Sequence, residues 1–209
     1  MSDPNAVPPV TLNRLSIYLR CLRRLRDQGV RQVSSQQLAH RYRLSAAQIR
    51  KDLTQFGEFG IRGVGYEVDQ LCDRLASVLG VDHTRSIVVV GMGNLGSALA
   101  RHVGFNSESF AVVGGFDNDP EKVGSTVGHL AISHISELPT VVRETNAEIG
   151  VLTVPAPAAQ HNYDALTAAG IKAVLNFAPV RLKLDPRVQT KNVDLSINLE
   201  ELGFFLGQG

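Results

Sequence analysis

Residues 86–96 read Ser86-Ile87-Val88-Val89-Val90-Gly91-Met92-Gly93-Asn94-Leu95-Gly96, and their order decides the fold. Ile87 to Val90 are all β-branched and apolar, the pattern of a strand buried on both faces of a parallel sheet. Three glycines at G-x-G-x-x-G spacing follow at once, and each has its own task. Gly91 permits the tight turn out of the strand, Gly93 lets backbone close on a pyrophosphate, and Gly96 lets the next helix pack on the strand. Glycines at this spacing occur in many turns, so the meaning comes from the strand before them and the helix behind them. That helix opens around Asn94 and Leu95, just beyond Met92, and the phosphates sit at its N-terminus.

Downstream, Phe110 to Phe116 reads as a second strand ending in Asp117, 21 residues beyond Gly96. An acidic side chain at this place accepts from the adenosine ribose hydroxyls. Asp117 and Asp119 would repel a 2′-phosphate, and the nearest cation, Lys122, stands five positions from Asp117, so NAD is favoured over NADP. Asn118 and Lys122 complete that end of the site. The competing reading makes Asp117 only the turn-former of Asp117-Asn118-Asp119-Pro120. Strand Ile149–Val154, a Pro155-initiated helix closing at Gly170, and strand Lys172–Leu175 continue the alternation of a Rossmann-type doubly wound sheet. Its ligands bind at the C-terminal strand edge. Thr153-Val154-Pro155 and Asn176-Phe177-Ala178-Pro179 fall there, as walls for a nicotinamide or simply as chain turns.

Upstream the chain changes character. Residues 1–80 hold 12 Lys+Arg against 7 Asp+Glu, whereas residues 81–209 hold 9 against 13, although the net charge is only +1. A basic third on a near-neutral chain is the footprint of one domain that touches phosphates and another that does not. Leu12, Leu15, Leu19, Leu22 and Leu25 mark an amphipathic helix over residues 11–28, ending at Gly29. A short helix opens at Ser34, with Gln37 completing a capping box, and a third at Ser45, with Gln48 in the same role. Ile49, Leu53 and Phe56 give the third helix its buried stripe. Ser45, Gln48, Arg50, Lys51, Thr54 and Gln55 are left outside, a set that includes the long amide and basic types able to contact base edges from a recognition helix. Glycines 57, 60, 63 and 65 then punctuate a hairpin, a wing with Arg62 and Gly63 at its tip set for a minor groove. A further amphipathic helix, Val68 to Leu79, closes at Gly80.

The rest is exclusion. At 44% hydrophobic and 20% charged residues the chain is ordinary for a packed protein. It has no apolar run long enough to span a membrane and no signal-peptide blocks at its start, so a cytoplasmic location is expected. Cys21 and Cys72 read as small core residues in separate helices. The histidines, His102 and His161 among them, are scattered without metal-type spacing, so no metal site is expected. The sheet units use almost all of residues 86–180, leaving little chain for a substrate pocket. No catalytic role is therefore assigned. Two alternatives to a regulator stand: a small NAD-dependent oxidoreductase with an accessory N-terminal domain, and a coenzyme A binding module, against which Asp117 would face a phosphorylated ribose.

Along nearly its whole length the chain closely resembles the bacterial redox-sensing repressors called Rex. The likeness lies in Ser34-Ser35-x-x-Leu38-Ala39, Gln48-Ile49-Arg50-Lys51-Asp52-Leu53 with Phe56-Gly57, Arg62-Gly63-Val64-Gly65-Tyr66, the glycine motif, Phe116-Asp117, Leu175-Asn176-Phe177-Ala178-Pro179 and Asn192-Val193-Asp194. It implies a homodimer that holds an inverted-repeat operator in double-stranded DNA when NADH is scarce and releases it when NADH displaces NAD⁺. It also implies that Arg20 and Asp194 form the charged pair coupling nicotinamide state to the DNA-binding domains. Asp194 and His102 would then lie by the cofactor, although some members carry a tyrosine where this chain has His102. The closing segment, Leu199 to Leu206, resembles a helix swapped in the dimer, and is expected to be shorter than the full-length swapped helix. The expected domains are a winged helix-turn-helix over residues 1–82, a Rossmann domain over 83–192 and a dimerisation segment over 193–209.

Overall fold

The computed structural model describes residues 7–42, 44–57, 59–61 and 64–207. The expected wing tip, Arg62 and Gly63, lies outside the described residues. The chain divides into two compact units, Met1–His83 and Thr84–Gly209.

In the first unit, α1 (Pro9–Asp27) is followed by β1 (Gln32–Val33), α2 (Ser35–Tyr42), α3 (Ala46–Thr54), β2 (Gly60–Ile61), β3 (Gly65–Glu67) and α4 (Val68–Val78). The leucine stripe of α1 is its core face: Leu15, Leu19, Leu22 and Leu25 are buried with Ile49 and Leu53 of α3 and Leu71 and Leu75 of α4. Cys21 and Cys72 are free and sit in the same core. The three short strands form an antiparallel sheet in the order β1-β3-β2, with β3 paired to both neighbours. Helices α2 and α3 with this ribbon make a winged helix.

The second unit is a seven-stranded sheet in the order β10-β9-β8-β4-β5-β7-β6. Its strands are β4 (Arg85–Val90), β5 (Phe110–Asp117), β6 (Thr126–Val127), β7 (Leu130–His134), β8 (Ile149–Leu152), β9 (Ala173–Asn176) and β10 (Gln189–Asn192). All pairings are parallel except β6 with β7. Between them run α5 (Asn94–Arg101), α6 (Leu138–Thr145) and α7 (Ala156–Ala168), and α8 (Leu195–Leu206) closes the chain. Val88 to Val90 are at most 1% exposed, as expected for a strand covered on both faces. The chain leaves β4 toward β5 on one side and later returns to pair β8 on the other. That reversal of strand order opens a crevice at the carboxyl ends of β4 and β8, where such sheets bind ligands.

Two expected strands are displaced. The strand expected over Ile149–Val154 stops at Leu152; beyond it Thr153 N still donates to Val90 O at 2.9 Å, and the Thr153 hydroxyl turns to the glycine loop. The strand expected over Lys172–Leu175 runs Ala173–Asn176. Helix α8 is longer at its start than expected, beginning at Leu195, and none of its residues is buried. Among the described residues no helix is long and apolar enough to cross a membrane.

Candidate functional site

The glycine loop is held by its neighbours on both sides. Gly91 N donates to Phe116 O at 2.8 Å, and Thr153 Oγ1 lies 2.7 Å from Gly91 O and 3.0 Å from Val90 O, donating between them. Gly91 has φ +96°, and a Cβ there would stand 2.7 Å from Val154 Cγ1. At Gly96 a Cβ would lie 2.0 Å from Gly91 O, so only glycine lets α5 start this close to the strand end. Gly93 differs: a Cβ built on it meets nothing within 4 Å. Two glycines are thus required by protein packing, and the third borders open space.

That space is a cleft of about 470 Å³ lined by Val90, Gly91, Gly93, Asp117, Asn118, Lys122, Ile135, Thr153, Val154, Pro155, Ala158 and Asn162. Its size falls in the range of small-molecule sites, roughly 300–1,000 Å³. Asp117, at the tip of β5, is tied to the loop. Its Oδ2 accepts from Met92 N at 2.9 Å and from Lys122 Nζ at 3.1 Å, while Oδ1 accepts from Asp119 N at 3.0 Å. Burial pushes this carboxyl up, but the Asp119 amide, the Lys122 ammonium and the Met92 amide outweigh it and hold it below the usual range. The five positions separating Lys122 from Asp117 therefore close to contact, which corrects the view of Lys122 as a distant cation. Its ammonium pairs with both carboxylates expected to repel a 2′-phosphate, since Asp119 Oδ2 lies 3.4 Å from it.

Eight residues expected at a dinucleotide site line one cleft: Gly91, Gly93, Asp117, Asn118, Lys122, Thr153, Val154 and Pro155. Others do not line it. Gly96 is beneath it, the Met92 side chain is buried in the core, and Asn94 and Leu95 form the exposed first turn of α5. His102 caps the far end of α5, about 12 Å along the axis from Asn94 by the helical rise. Its neighbour is Phe105, with ring centroids 6.2 Å apart. Asn176 is 1% exposed and shapes the turn after β9, accepting from Ala178 N at 2.9 Å and donating to Asn192 Oδ1 at 2.9 Å. Phe177 is half-buried, Ala178 buried and Pro179 exposed. Asp194 is the N-cap of α8, accepting from Ser196 N at 2.9 Å and from the Ser196 hydroxyl, and these bonds depress its carboxyl. Arg20 is exposed on α1. Sequence reasoning missed Val90, Ile135, Ala158 and Asn162; the last two stand one helical turn apart on α7, a spacing that gives one face but no chemistry to single it out.

On the first unit, the Ser34–Gln37 capping box forms both bonds, Gln37 N to Ser34 Oγ at 3.1 Å and Ser34 N to Gln37 Oε1 at 2.8 Å. The box expected at Ser45 is half made. Gln48 N donates to Ser45 Oγ at 3.3 Å, but the Gln48 side chain turns instead to Asp52, with Nε2 2.7 Å from Oδ1. Gln48 is consequently half-buried rather than outside. Arg50 donates to Ser35 Oγ at 2.9 Å, bracing α3 on α2, and the Thr54 hydroxyl donates to Arg50 O at 2.8 Å. Lys51 and Gln55 are exposed. Among the described residues no cluster of His, Cys, Asp or Glu could hold a metal ion.

A winged helix with a basic, amide-bearing helix, joined in one chain to a sheet with a glycine-loop cleft, is the architecture of a ligand-responsive DNA-binding regulator. The chain belongs to the Rex family of redox-sensing transcriptional repressors: it is 46% identical over 198 residues to the redox-sensing transcriptional repressor Rex of Carboxydothermus hydrogenoformans, covering 95% of each chain. Residues 82–180 match the family model "CoA binding domain" and residues 6–54 the model "Putative DNA-binding protein N-terminus". The chain is similar to a crystal structure of the Rex-family repressor RSP in complex with β-NAD⁺ and operator DNA, at TM-score 0.89 and 35% identity, covering 97% of this chain and 93% of that one. It is also similar to RSP in complex with β-NADH, at TM-score 0.82 and 33% identity, covering 97% and 95%.

Proposed function

We propose that this chain is a cytoplasmic repressor that holds an inverted-repeat operator as a homodimer and lets go when NADH displaces NAD⁺. The observation that carries the reading is the Gly93 loop at the reversal of strand order, bordered by open space and faced by Asp117, in the same chain as a winged helix. The residues fit a dinucleotide. Gly93 leaves room for a pyrophosphate over the start of α5, whose free N–H groups favour anions. One lone pair of Asp117 Oδ1 remains for a ribose hydroxyl, with Asn118 and Lys122 beside it. Thr153, Val154 and Pro155 wall the cleft toward the nicotinamide end, and Asn176, Phe177, Ala178 and Pro179 line the strand edge next to it.

What the bound group supplies is a charge that changes with redox state, since the oxidised ring is cationic and the dihydro ring neutral. Burying the cation against Phe177, Ala178 and Pro179 is the costlier of the two, and Asp194 opposes that preference when it is free of Arg20. In this reading Arg20 and Asp194 form the coupling pair, and His102 flanks the nicotinamide from the end of α5. On the other unit Lys51, Arg50 and Ser45 meet phosphates, Gln48, Thr54 and Gln55 address base edges, and Arg62 with Gly63 enters the minor groove.

Helix α8 supports the dimer. Leu195, Ile197, Leu199, Leu202, Phe204, Phe205 and Leu206 are all 54–82% exposed, and a helix this short is marginal in water by itself. A partner copy that buries it gives the third segment, 193–209, its function. Two recognition helices must enter successive major grooves about 34–36 Å apart, so a change of dimer geometry spoils binding without touching a DNA contact. The test is a titration of the chain onto operator DNA with NADH or NAD⁺ present. Release by NADH at concentrations where NAD⁺ leaves the complex intact is the expected result; equal response to both nucleotides would refute it.

A further inference from the structure

Helix α3 carries one nearly sealed carboxylate that the function above does not use. Asp52 is 3% exposed, and its described partners come from α1 and from its own helix. Arg14 donates through Nε to Oδ2 at 2.6 Å and through Nη2 to Oδ1 at 2.8 Å. The Tyr18 hydroxyl donates to Oδ2 at 2.8 Å, and Gln48 Nε2 donates to Oδ1 at 2.7 Å. The guanidinium keeps Asp52 ionised, with its carboxyl held below the usual range.

An ionised carboxylate can only accept. The group that Gln48 turns to it must therefore be the NH₂, because rotating the amide by half a turn would set Oε1 against Oδ1. Asp52 uses one of the two amide hydrogens. Among the described residues no donor is set against Oε1, and Gln48 is only half-buried. What remains for a ligand is an acceptor and a donor side by side, in one fixed order. Adenine presents the complement in the major groove, a donor at N6 beside an acceptor at N7, whereas guanine presents two acceptors, O6 and N7. Against guanine, Oε1 would meet O6.

We propose that Asp52 is a specificity-positioning residue, which holds the Gln48 amide in a single orientation so that α3 reads adenine and rejects guanine at one base pair of each operator half-site. Arg14 and Tyr18 act one step further back, fixing the carboxylate that fixes the amide. The proposal rests on the reading of α3 as the recognition helix.

The experiment uses the full chain and an operator selected by the wild type from random duplexes, with each A·T pair then replaced in turn by G·C. The wild type should lose about 10-fold or more at one pair per half-site, within the roughly 5–150-fold span of a good bidentate contact. In Asp52→Asn the new amide both donates and accepts, so Gln48 is free to turn over. Discrimination at that pair should fall below about threefold, with the other positions and NADH binding unchanged. Gln48→Ala should lose the same discrimination, and the double variant nothing more. Uniformly weaker binding by Asp52→Asn with discrimination intact would make the network a structural prop and overturn the proposal. Should Asp52→Asn fail to fold, the Gln48 side-chain amide in the ¹⁵N-labelled wild type decides: one proton slowed in exchange supports the lock, and an amide averaging like an exposed glutamine refutes it. A wild type that selects no duplex at all would instead overturn the recognition-helix reading beneath it.

Discussion

Replacing Gly93 by alanine should stabilise the protein and cripple its cofactor binding, two effects of opposite sign from one methyl group. The backbone at Gly93 is extended, φ −76° and ψ −162°, where any residue is at ease, and the added Cβ meets no protein atom within 4 Å. Under those conditions Gly→Ala lowers the entropy of the unfolded chain and stabilises by about 0.4–1 kcal/mol. For a chain of this length that raises the melting temperature by about 1–4 °C. In the proposed site the same methyl stands where the pyrophosphate would approach the loop. Losing one charge-assisted hydrogen bond, worth about 1.5–3 kcal/mol, weakens NADH about 10- to 150-fold. Calorimetric titration with NADH and thermal melts without it read the two effects separately. Gly96→Ala is the contrast, since its Cβ would lie 2.0 Å from Gly91 O. That overlap forces α5 away from the strand and costs about 1–3 kcal/mol of stability together with the cleft. Wild-type NADH affinity in Gly93→Ala would show that no phosphate lies over this loop.

Lys51→Ala should weaken operator binding and reduce its salt slope by about one unit, leaving NADH affinity unchanged; titrations at several salt concentrations measure this. The pH dependence follows from Asp52, whose carboxyl is depressed by Arg14. A depressed folded value means stability that is full above the unfolded carboxyl's value, about 3.9, and is lost as pH falls through the lower folded one. Melts of the wild type should therefore fall more steeply below about pH 4 than those of Asp52→Asn. On α8, Phe205→Asp places a charge in the apolar face and should shift the chain toward monomer in sedimentation, with operator affinity lost in parallel.

The strand-glycine-helix core of the second unit was legible because each of its features is local. Buried β-branched runs, glycine spacing and an acidic residue at the next strand end all lie within one stretch of chain. The two capped helices of the first unit were legible for the same reason. Where sequence reading stopped, the missing information was tertiary. Strand β10 reads Gln-Thr-Lys-Asn at the sheet edge and has no apolar period to announce it. Strands β6 and β7 are joined through Gly128 at φ +66°, but β6 is only two residues long. Gln48 carries a correct capping spacing, yet its side chain is taken by Asp52, whose ion pair with Arg14 spans 38 residues. Lys122 likewise turned from a distant cation into a contact of Asp117 once the loop after β5 closed on itself.

The central claim is that NADH and operator are antagonistic ligands of one two-state dimer, and the direct measurement is their reciprocal linkage. NADH affinity is measured with and without saturating operator, and operator affinity with and without saturating NADH, under one salt condition. Thermodynamics requires both ratios to be the same, and couplings of this kind are typically about 5–150-fold. The account predicts equal factors in that range, both sharply reduced by Asp194→Ala or Arg20→Ala while each ligand still binds the variant alone. An NADH affinity indifferent to saturating operator would contradict it.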